Sequence, residues 1–207
     1  MKQVLLALAA AGMMIGSLRA QDVNTRTFHL TAVPQFVDCI SDQSGNPPSA
    51  TVTVNRGRQN DTLSLTVRHI KPGLTFDLFT VQRSNLLSNG TPNPNFTNFG
   101  LAWYQSDLDI TDNGSGTATL RTILLDQIFG FDPDVTLPPT NTFHVGFWFN
   151  NPNDAAACGF NPLNPTPFNG EHNAGPAAMI SVPNATTGLG PLCTSPNLGT
   201  NPPSCNP

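Results

Sequence analysis

Charged side chains are scarce in this chain, and their scarcity argues against several classes of function. Only 11% of the 207 residues are Asp, Glu, Lys or Arg, and Glu171 is the sole glutamate. The few basic residues are dispersed, so no polybasic segment is available to neutralise the phosphates of a nucleic acid or an anionic membrane. Nucleic acid is therefore not an expected partner.

Long apolar runs are also lacking, and the longest one lies at the beginning of the chain. Lys2 precedes an almost uninterrupted apolar segment over Val4–Gly16, and the following Ser-Leu-Arg-Ala ends on a small residue. This arrangement is typical of a secretory signal peptide, which we predict to comprise residues 1–20. Because the segment is too short to anchor a protein in a bilayer, we expect secretion to the extracellular space or the periplasm without membrane insertion.

The remaining composition disfavours helices. Loss of Lys2 and Arg19 with the leader would leave seven basic and thirteen acidic residues, a net charge of about −6. Solubility must then come from Thr, Asn, Ser and Gln, and 20 residues are Pro. Abundant Thr, Val, Phe, Asn and Pro favour strands and tight connections, so we predict an all-β domain.

Alternating apolar and polar residues define about eight candidate strands. In the clearest one, Leu63, Leu65 and Val67 share one face. The eight segments are Thr25–Ala32, Thr51–Asn55, Asp61–Ile70, Leu74–Arg83, Leu101–Ile110, Thr117–Leu125, Asn141–Asn150 and Ala177–Val182. They predict an antiparallel β-sandwich, immunoglobulin-like or related, over residues 21–182, with a flexible Pro-, Asn- and Gly-rich tail over residues 183–207.

Two short links predict antiparallel hairpins. Arg56–Asn60 joins the second and third candidate strands, and Thr111–Gly116 joins the fifth and sixth. In the latter link, Asn113-Gly114 suits the positive φ angles that a tight turn requires. We therefore expect each link to connect two strands that pair directly with one another.

Two long loops, Ser84–Gly100 and Asn150–Gly175, are rich in Asn, Pro and Gly and contain several Phe residues. Loops of this length are usually functional or disordered, and their aromatic residues predict packing against the sheet. His144 and Trp148 share one face of the strand that precedes the second loop. Because that loop begins where the strand ends, we expect it to fold back over this face.

All four cysteines, Cys39, Cys158, Cys193 and Cys205, follow the predicted leader. An oxidising compartment favours pairing, so we predict two disulfides. Three connectivities remain open, although the short Pro-rich interval favours Cys193 with Cys205, which would leave Cys39 for Cys158. The absence of a C-x-x-C pair disfavours a zinc knuckle or a thioredoxin-like redox motif.

A family resemblance rests on turn motifs in the middle of the chain. The runs HIKPGLTFDLFTVQRS and LAWYQSDLDITDNGSGTATL contain a Pro-Gly turn and a Thr-Asp-x-Gly-x-Gly hairpin. They resemble segments of exported bacterial proteins with an immunoglobulin-like or CHRD-like β-sandwich. The histidine-rich strand typical of CHRD domains has no counterpart here. The resemblance implies the fold and export of a bacterial protein, and it implies no activity.

A cluster of oxygen-bearing side chains surrounds the second predicted turn. Asp107, Asp109 and Asp112 carry carboxylates, which are the ligands that calcium prefers. Thr111 stands where the third ligand of a D-x-D-x-D-G loop would be, so the alternative is a solvated turn whose polar side chains cap its own backbone. No other cofactor is expected.

A second candidate metal site involves His144, Glu171 and His172. Two imidazoles and one carboxylate would form such a site if the loop that carries Glu171 and His172 folded back over the strand of His144. This arrangement would make the protein a metal-dependent enzyme. Nucleophilic catalysis has no support, because the chain lacks a G-x-S-x-G motif and its cysteines are expected to be oxidised.

Trp103, Tyr104 and Trp148 are the only Trp and Tyr residues, and such rings stack on sugars when they are exposed. Trp103 and Tyr104 are neighbours on one strand, so only one of them can face a ligand. Together with His144 they are the candidate ligand-binding residues. The sequence favours an exported, non-catalytic β-sandwich with a structural or interaction role, whose partner is an extracellular protein or a polysaccharide. A carbohydrate-binding module is the first alternative, and the metal-dependent enzyme is the second.

Overall fold

The computed structural model describes residues 25–57, 60–122, 140–166, 174–193 and 196–205, and the predicted leader lies outside them. Strands are β1 Thr25–Ala32, β2 Ser49–Asn55, β3 Asp61–Arg68, β4 Thr75–Val81, β5 Ala102–Asp109, β6 Gly116–Thr122, β7 His144–Phe149, β8 Ala177–Ile180, β9 Pro196–Asn197 and β10 Ser204–Cys205. Helical segments are the 3₁₀ turn Pro34–Phe36, the helix α1 Val37–Ile40 and the 3₁₀ helix Pro152–Cys158. The described chain is nearly all-β, and the eight predicted strands correspond to β1–β8 with shifts of a few residues at their ends.

The eight long strands form one antiparallel sheet in the order β5-β4-β7-β8-β1-β2-β3-β6. β1 joins its two halves, because Thr25–Leu30 pairs with β2 whereas Thr31 and Ala32 pair with β8. The predicted sandwich of two separate sheets is not confirmed, since β1 makes the halves continuous. The sheet curls almost closed, and the edge strands β5 and β6 come into contact.

The two predicted hairpins have different outcomes. β2 pairs with β3 as expected, whereas β5 pairs with β4 and β6 pairs with β3. The predicted β5–β6 pairing is therefore wrong, although Gly114 in the connecting turn has the predicted positive φ, at 72°. β5 lies beside β4 because the loop before it returns the chain to that strand, where Gln82 N donates to the Leu101 carbonyl oxygen at 2.8 Å.

Aromatic and branched side chains fill the inside of the curled sheet. Leu63, Leu65 and Val67 of β3 are all buried, which confirms the apolar face predicted for that strand. Across β4 and β7, the ring centroid of Phe76 lies 4.8 Å from that of Phe147 and 5.3 Å from that of Phe149. This burial of apolar surface is the main stabilising contribution to the fold.

Both predicted disulfides are present. Cys39–Cys158 links α1 to the 3₁₀ helix Pro152–Cys158, and Cys193–Cys205 closes a loop that carries the short β9–β10 pair. Residues after Val182 were expected to form a flexible tail, but within the described part Leu192 is buried in the core. Its backbone N–H donates to the Phe143 carbonyl oxygen at 3.3 Å.

Helices in the described ranges are short, and none of them combines the length and the apolar character that crossing a membrane would require.

Candidate ligand-binding cleft

A cleft of about 490 Å³ lies where β4 ends and β7 begins. The loop after β4 forms one wall, and Pro183–Leu189, which follows β8, contributes to the other. Pro202 and Pro203, inside the Cys193–Cys205 loop, complete the lining. With the residues at the start of β7, four separate segments of the chain therefore meet at this site.

Side-chain amides and hydroxyls dominate the polar lining of the cleft. They belong to Gln82, Ser84, Asn93, Asn95, Thr97, Asn98, Thr140, Thr142 and Thr187. Apolar surface comes from Leu86, Leu87, Phe96 and Leu189. Arg83 is the only Arg, Lys, Asp or Glu among the described lining residues, so the cleft presents hydrogen-bonding groups with little charge.

Asparagine turns give the loop after β4 its shape. Asn89 Oδ1 accepts from Thr91 N at 3.0 Å, and Asn93 Oδ1 accepts from Asn95 N at 3.0 Å. A backbone hydrogen bond from Asn93 N to the Asn85 carbonyl oxygen, at 2.9 Å, closes the loop. The Asn-rich composition therefore fixes the backbone of the loop and also leaves amide groups on the cleft wall.

His144 lies at the base of the cleft and is 3% exposed. Its Nδ1 is 2.9 Å from the Ser181 carbonyl oxygen and 3.0 Å from Ser181 Oγ, and Ser181 Oγ accepts from Val145 N at 3.1 Å. Burial lowers the pKa of His144 from 6.5 to about 4 although the bond to the Ser181 backbone acts in the opposite direction. The imidazole is therefore neutral at physiological pH.

Trp148 and His144 lie on the same face of β7, as the sequence predicts. In the pairing of β4 with β7, Val81 lies opposite His144 and Asp77 lies opposite Trp148. It is fully buried, so it offers no open stacking surface. Its ring centroid lies 5.3 Å from that of Phe79 and 5.0 Å from that of Phe99.

The Trp148 face is covered by a different loop from the one expected. Phe99 belongs to the loop Ser84–Gly100, whereas the described part of Asn150–Gly175 packs elsewhere, with Phe160 6.5 Å from Phe36. The prediction that the second loop covers the Trp148 face is thus wrong for its described residues, and Phe168 lies outside them. The disulfide ties Cys158 to α1, and Phe36, just before α1, packs against Phe149 on the opposite face of β7 from Trp148.

Trp103 and Tyr104 are the exposed aromatic pair of β5, at 40% and 41% exposure. Tyr104 Oη donates to Asp107 Oδ1 at 2.8 Å, and its ring packs edge-on against Phe79 at 5.6 Å. β5 pairs Trp103 with Thr80 and Tyr104 with Phe79, so the two rings lie on opposite faces. Neither ring lines the cleft beside His144.

The candidate metal ligands are not brought together in the described residues. Asp107 and Asp109 lie on β5, whereas Asp112 lies in the following turn and lines a separate cleft with Asp38 and Asp42. No group of three His, Cys, Asp or Glu side chains suited to a metal ion occurs within the described ranges.

The turn beside these aspartates is capped by its own side chains. Asn113 Oδ1 accepts from Ser115 N at 3.1 Å and from Thr111 Oγ1 at 2.6 Å. Glu171 and His172, the proposed partners of His144 in a metal-dependent enzyme, lie outside the described residues, so that site stays a prediction.

One polar cluster, formed by Asp42, Ser44 and His69, was not predicted from the sequence. Ser44 Oγ donates to Asp42 Oδ1 and lies 3.2 Å from His69 Nδ1, while Asp42 Oδ2 lies 3.5 Å from the same nitrogen. Because hydroxyl and carboxylate converge on one nitrogen, the imidazole cannot relay a proton between them as in a Ser-His-Asp triad. Hydrogen bonds from the Ser44 side chain and backbone lower the pKa of Asp42. No local sequence pattern links His69 to Ser44, which lies 25 residues earlier.

The cleft beside His144 is thus a site where buried and exposed polar groups converge around a defined volume. Such a volume suits a small molecule or a short polymer segment. Comparison of the chain with protein-family models, with curated proteins and with solved structures found no match.

Proposed function

We propose that this protein is an exported, non-catalytic binding protein whose ligand is a carbohydrate. The observation that carries the proposal is the cleft beside His144, whose described lining has many amides and hydroxyls and one charged residue, Arg83. Sugars present hydroxyl groups and apolar C–H surfaces, and the cleft offers hydrogen-bonding side chains next to Phe96, Leu86 and Leu189. An uncharged saccharide matches this combination better than a nucleotide or a phosphorylated metabolite would.

Export is supported by the leader predicted over residues 1–20 and by two disulfides. Disulfides persist mainly in oxidising compartments. Extracellular space or a bacterial periplasm would also supply polysaccharide, which is one of the two partner classes expected from the sequence. The proposed role is therefore recognition of a glycan outside the cytoplasm.

Calorimetric titration with neutral oligosaccharides of the cellulose, chitin, xylan and mannan series tests the proposal. Asn95→Ala removes an exposed amide from the cleft wall and is expected to weaken binding by about tenfold. The Asn95 backbone, which bonds Asn93, is unaffected by the change. The fold should therefore remain intact.

Trp103→Ala is the matched control, because Trp103 is exposed but lies outside the cleft lining. Unchanged affinity in this variant is expected. Loss of affinity in Trp103→Ala with retention in Asn95→Ala would move the site to the aromatic pair on β5. Absence of binding to every neutral oligosaccharide would contradict the proposed function.

A further inference from the structure

We infer that His144 offers Nε2 to the cleft as an unprotonated hydrogen-bond acceptor, so that a bound ligand must present a hydroxyl or N–H donor there. This inference rests on the proposed function, because it specifies the chemistry of the ligand in the same cleft. It predicts a preference for neutral sugars over sugars whose carboxylate would meet this nitrogen.

The backbone of Ser181 sets the tautomer of His144. A carbonyl oxygen can only accept, so Nδ1, at 2.9 Å from the Ser181 oxygen, must carry the proton. Ser181 Oγ also lies 3.0 Å from Nδ1 and already accepts from Val145 N, which holds the ring from the same side. In a neutral imidazole, the second nitrogen then has a lone pair and no hydrogen.

The described residues place no hydrogen-bond donor on this lone pair. His144 belongs to the cleft lining, and no hydrogen bond to its Nε2 is formed by the described residues. Burial, which lowers the pKa to about 4, keeps the ring neutral over the ordinary pH range. An anionic oxygen placed against an unprotonated nitrogen would find no donor there and would lose its hydration.

Two amide substitutions separate the two nitrogens of the ring. The amide nitrogen of Asn reaches the position of Nδ1, so His144→Asn keeps a donor for Ser181 and removes the acceptor at Nε2. The amide of Gln reaches the position of Nε2, so His144→Gln keeps an acceptor in the cleft and loses the Ser181 bond. If Nε2 accepts from the ligand, His144→Gln should bind better than His144→Asn. If His144 only supports the fold through Ser181, His144→Asn should bind better than His144→Gln.

Binding of the neutral oligosaccharides is measured for both variants, with oligogalacturonate as the anionic probe. We expect His144→Asn to lose about tenfold or more in affinity and His144→Gln to stay within about threefold of the wild type. Arg83→Gln is the control for charge, because Arg83 is the cationic residue of the lining. Equal affinity of wild type and His144→Asn would overturn the inference while leaving the proposed function intact. The same conclusion would follow if Arg83→Gln bound oligogalacturonate as tightly as it binds the neutral sugars.

Nitrogen NMR of the wild-type imidazole provides a test that does not depend on variant folding. We expect a protonated Nδ1 and an unprotonated Nε2 in the free protein, and a shift of the Nε2 signal on addition of sugar. The reverse tautomer would overturn the inference. If no sugar binds, ethylene glycol serves as a generic hydroxyl donor: a shift of Nε2 supports the acceptor role although the proposed function fails, and an unmoved signal contradicts both.

Discussion

Burial of His144 couples the stability of the whole chain to pH. In the unfolded chain the imidazole has its ordinary pKa of 6.5, and in the fold burial lowers the pKa to about 4. Between these values the unfolded chain binds a proton that the folded protein does not bind. The stabilisation that comes from the lowered pKa of His144 is fully present above pH 6.5 and is lost progressively as the pH falls toward 4.

We predict that the free energy of unfolding decreases by about 3 kcal/mol from this source between pH 7 and pH 4. Urea titrations across this range measure the decrease. His144→Gln should show a much flatter pH dependence, because it removes the group that titrates differently in the two states. His29→Gln, at an exposed position, is the control for the substitution of a histidine by glutamine. A His144→Gln slope identical to that of the wild type would contradict the assignment.

Single residues also show what local sequence chemistry can predict. The Asn-Gly pair predicted a positive φ, and Gly114 has a φ of 72°. A Cβ at this position would lie 2.8 Å from the Ile70 carbonyl oxygen, so the turn requires glycine for space as well as for φ. The requirement for space could not be predicted, since it depends on Ile70, which comes from another part of the fold.

At the scale of elements, alternation predicted where strands lie but not which strands pair. Thr111–Gly116 has the chemistry of a hairpin turn, yet β5 and β6 lie at opposite ends of the sheet order. Turn chemistry fixes a few dihedral angles, whereas pairing depends on which distant apolar faces meet. The same limit applies to the cleft, which four segments distant in sequence build together.

The covering of Trp148 by the loop Ser84–Gly100 also depends on non-local contacts. Both long loops contain Phe, and loop-closure entropy alone favoured the adjacent one. Phe160 packs on Phe36 instead, and Phe36 lies 5.9 Å from Phe149. The disulfide that directs this packing could not be located in space from the sequence.

Truncation of Phe99 should expose Trp148. We predict that Phe99→Ala lowers the free energy of unfolding by about 3 kcal/mol and shifts the Trp148 emission to longer wavelength. Fluorescence is measured in a Trp103→Phe background, so that Trp148 is the sole emitter. Phe160→Ala is the matched control from the other loop: it should destabilise the protein without shifting the emission. An emission shift in Phe160→Ala and none in Phe99→Ala would show that Phe160, rather than Phe99, covers Trp148.

For the whole molecule, the two disulfides have different consequences because they close loops of different length. Cys39–Cys158 spans 119 residues and ties α1 to the 3₁₀ helix after β7. Cys193–Cys205 spans 12 residues and holds Pro202 and Pro203 against the cleft. Chain entropy in the unfolded state assigns about 5 kcal/mol to the first bridge and about 3 kcal/mol to the second.

We predict that replacing Cys39 and Cys158 by Ser lowers thermal stability more than replacing Cys193 and Cys205, and that only the second pair changes ligand binding. The reason is that the longer bridge restricts most of the unfolded chain, whereas the shorter one fixes a wall of the binding site and so reduces the cost of ordering it on binding. Calorimetric unfolding and oligosaccharide titration on the same two double variants measure both effects. Equal affinity in the two variants would show that Pro202 and Pro203 do not contact the ligand. A greater loss of stability from the shorter bridge would show that local packing, rather than loop closure, dominates the contribution of the disulfides.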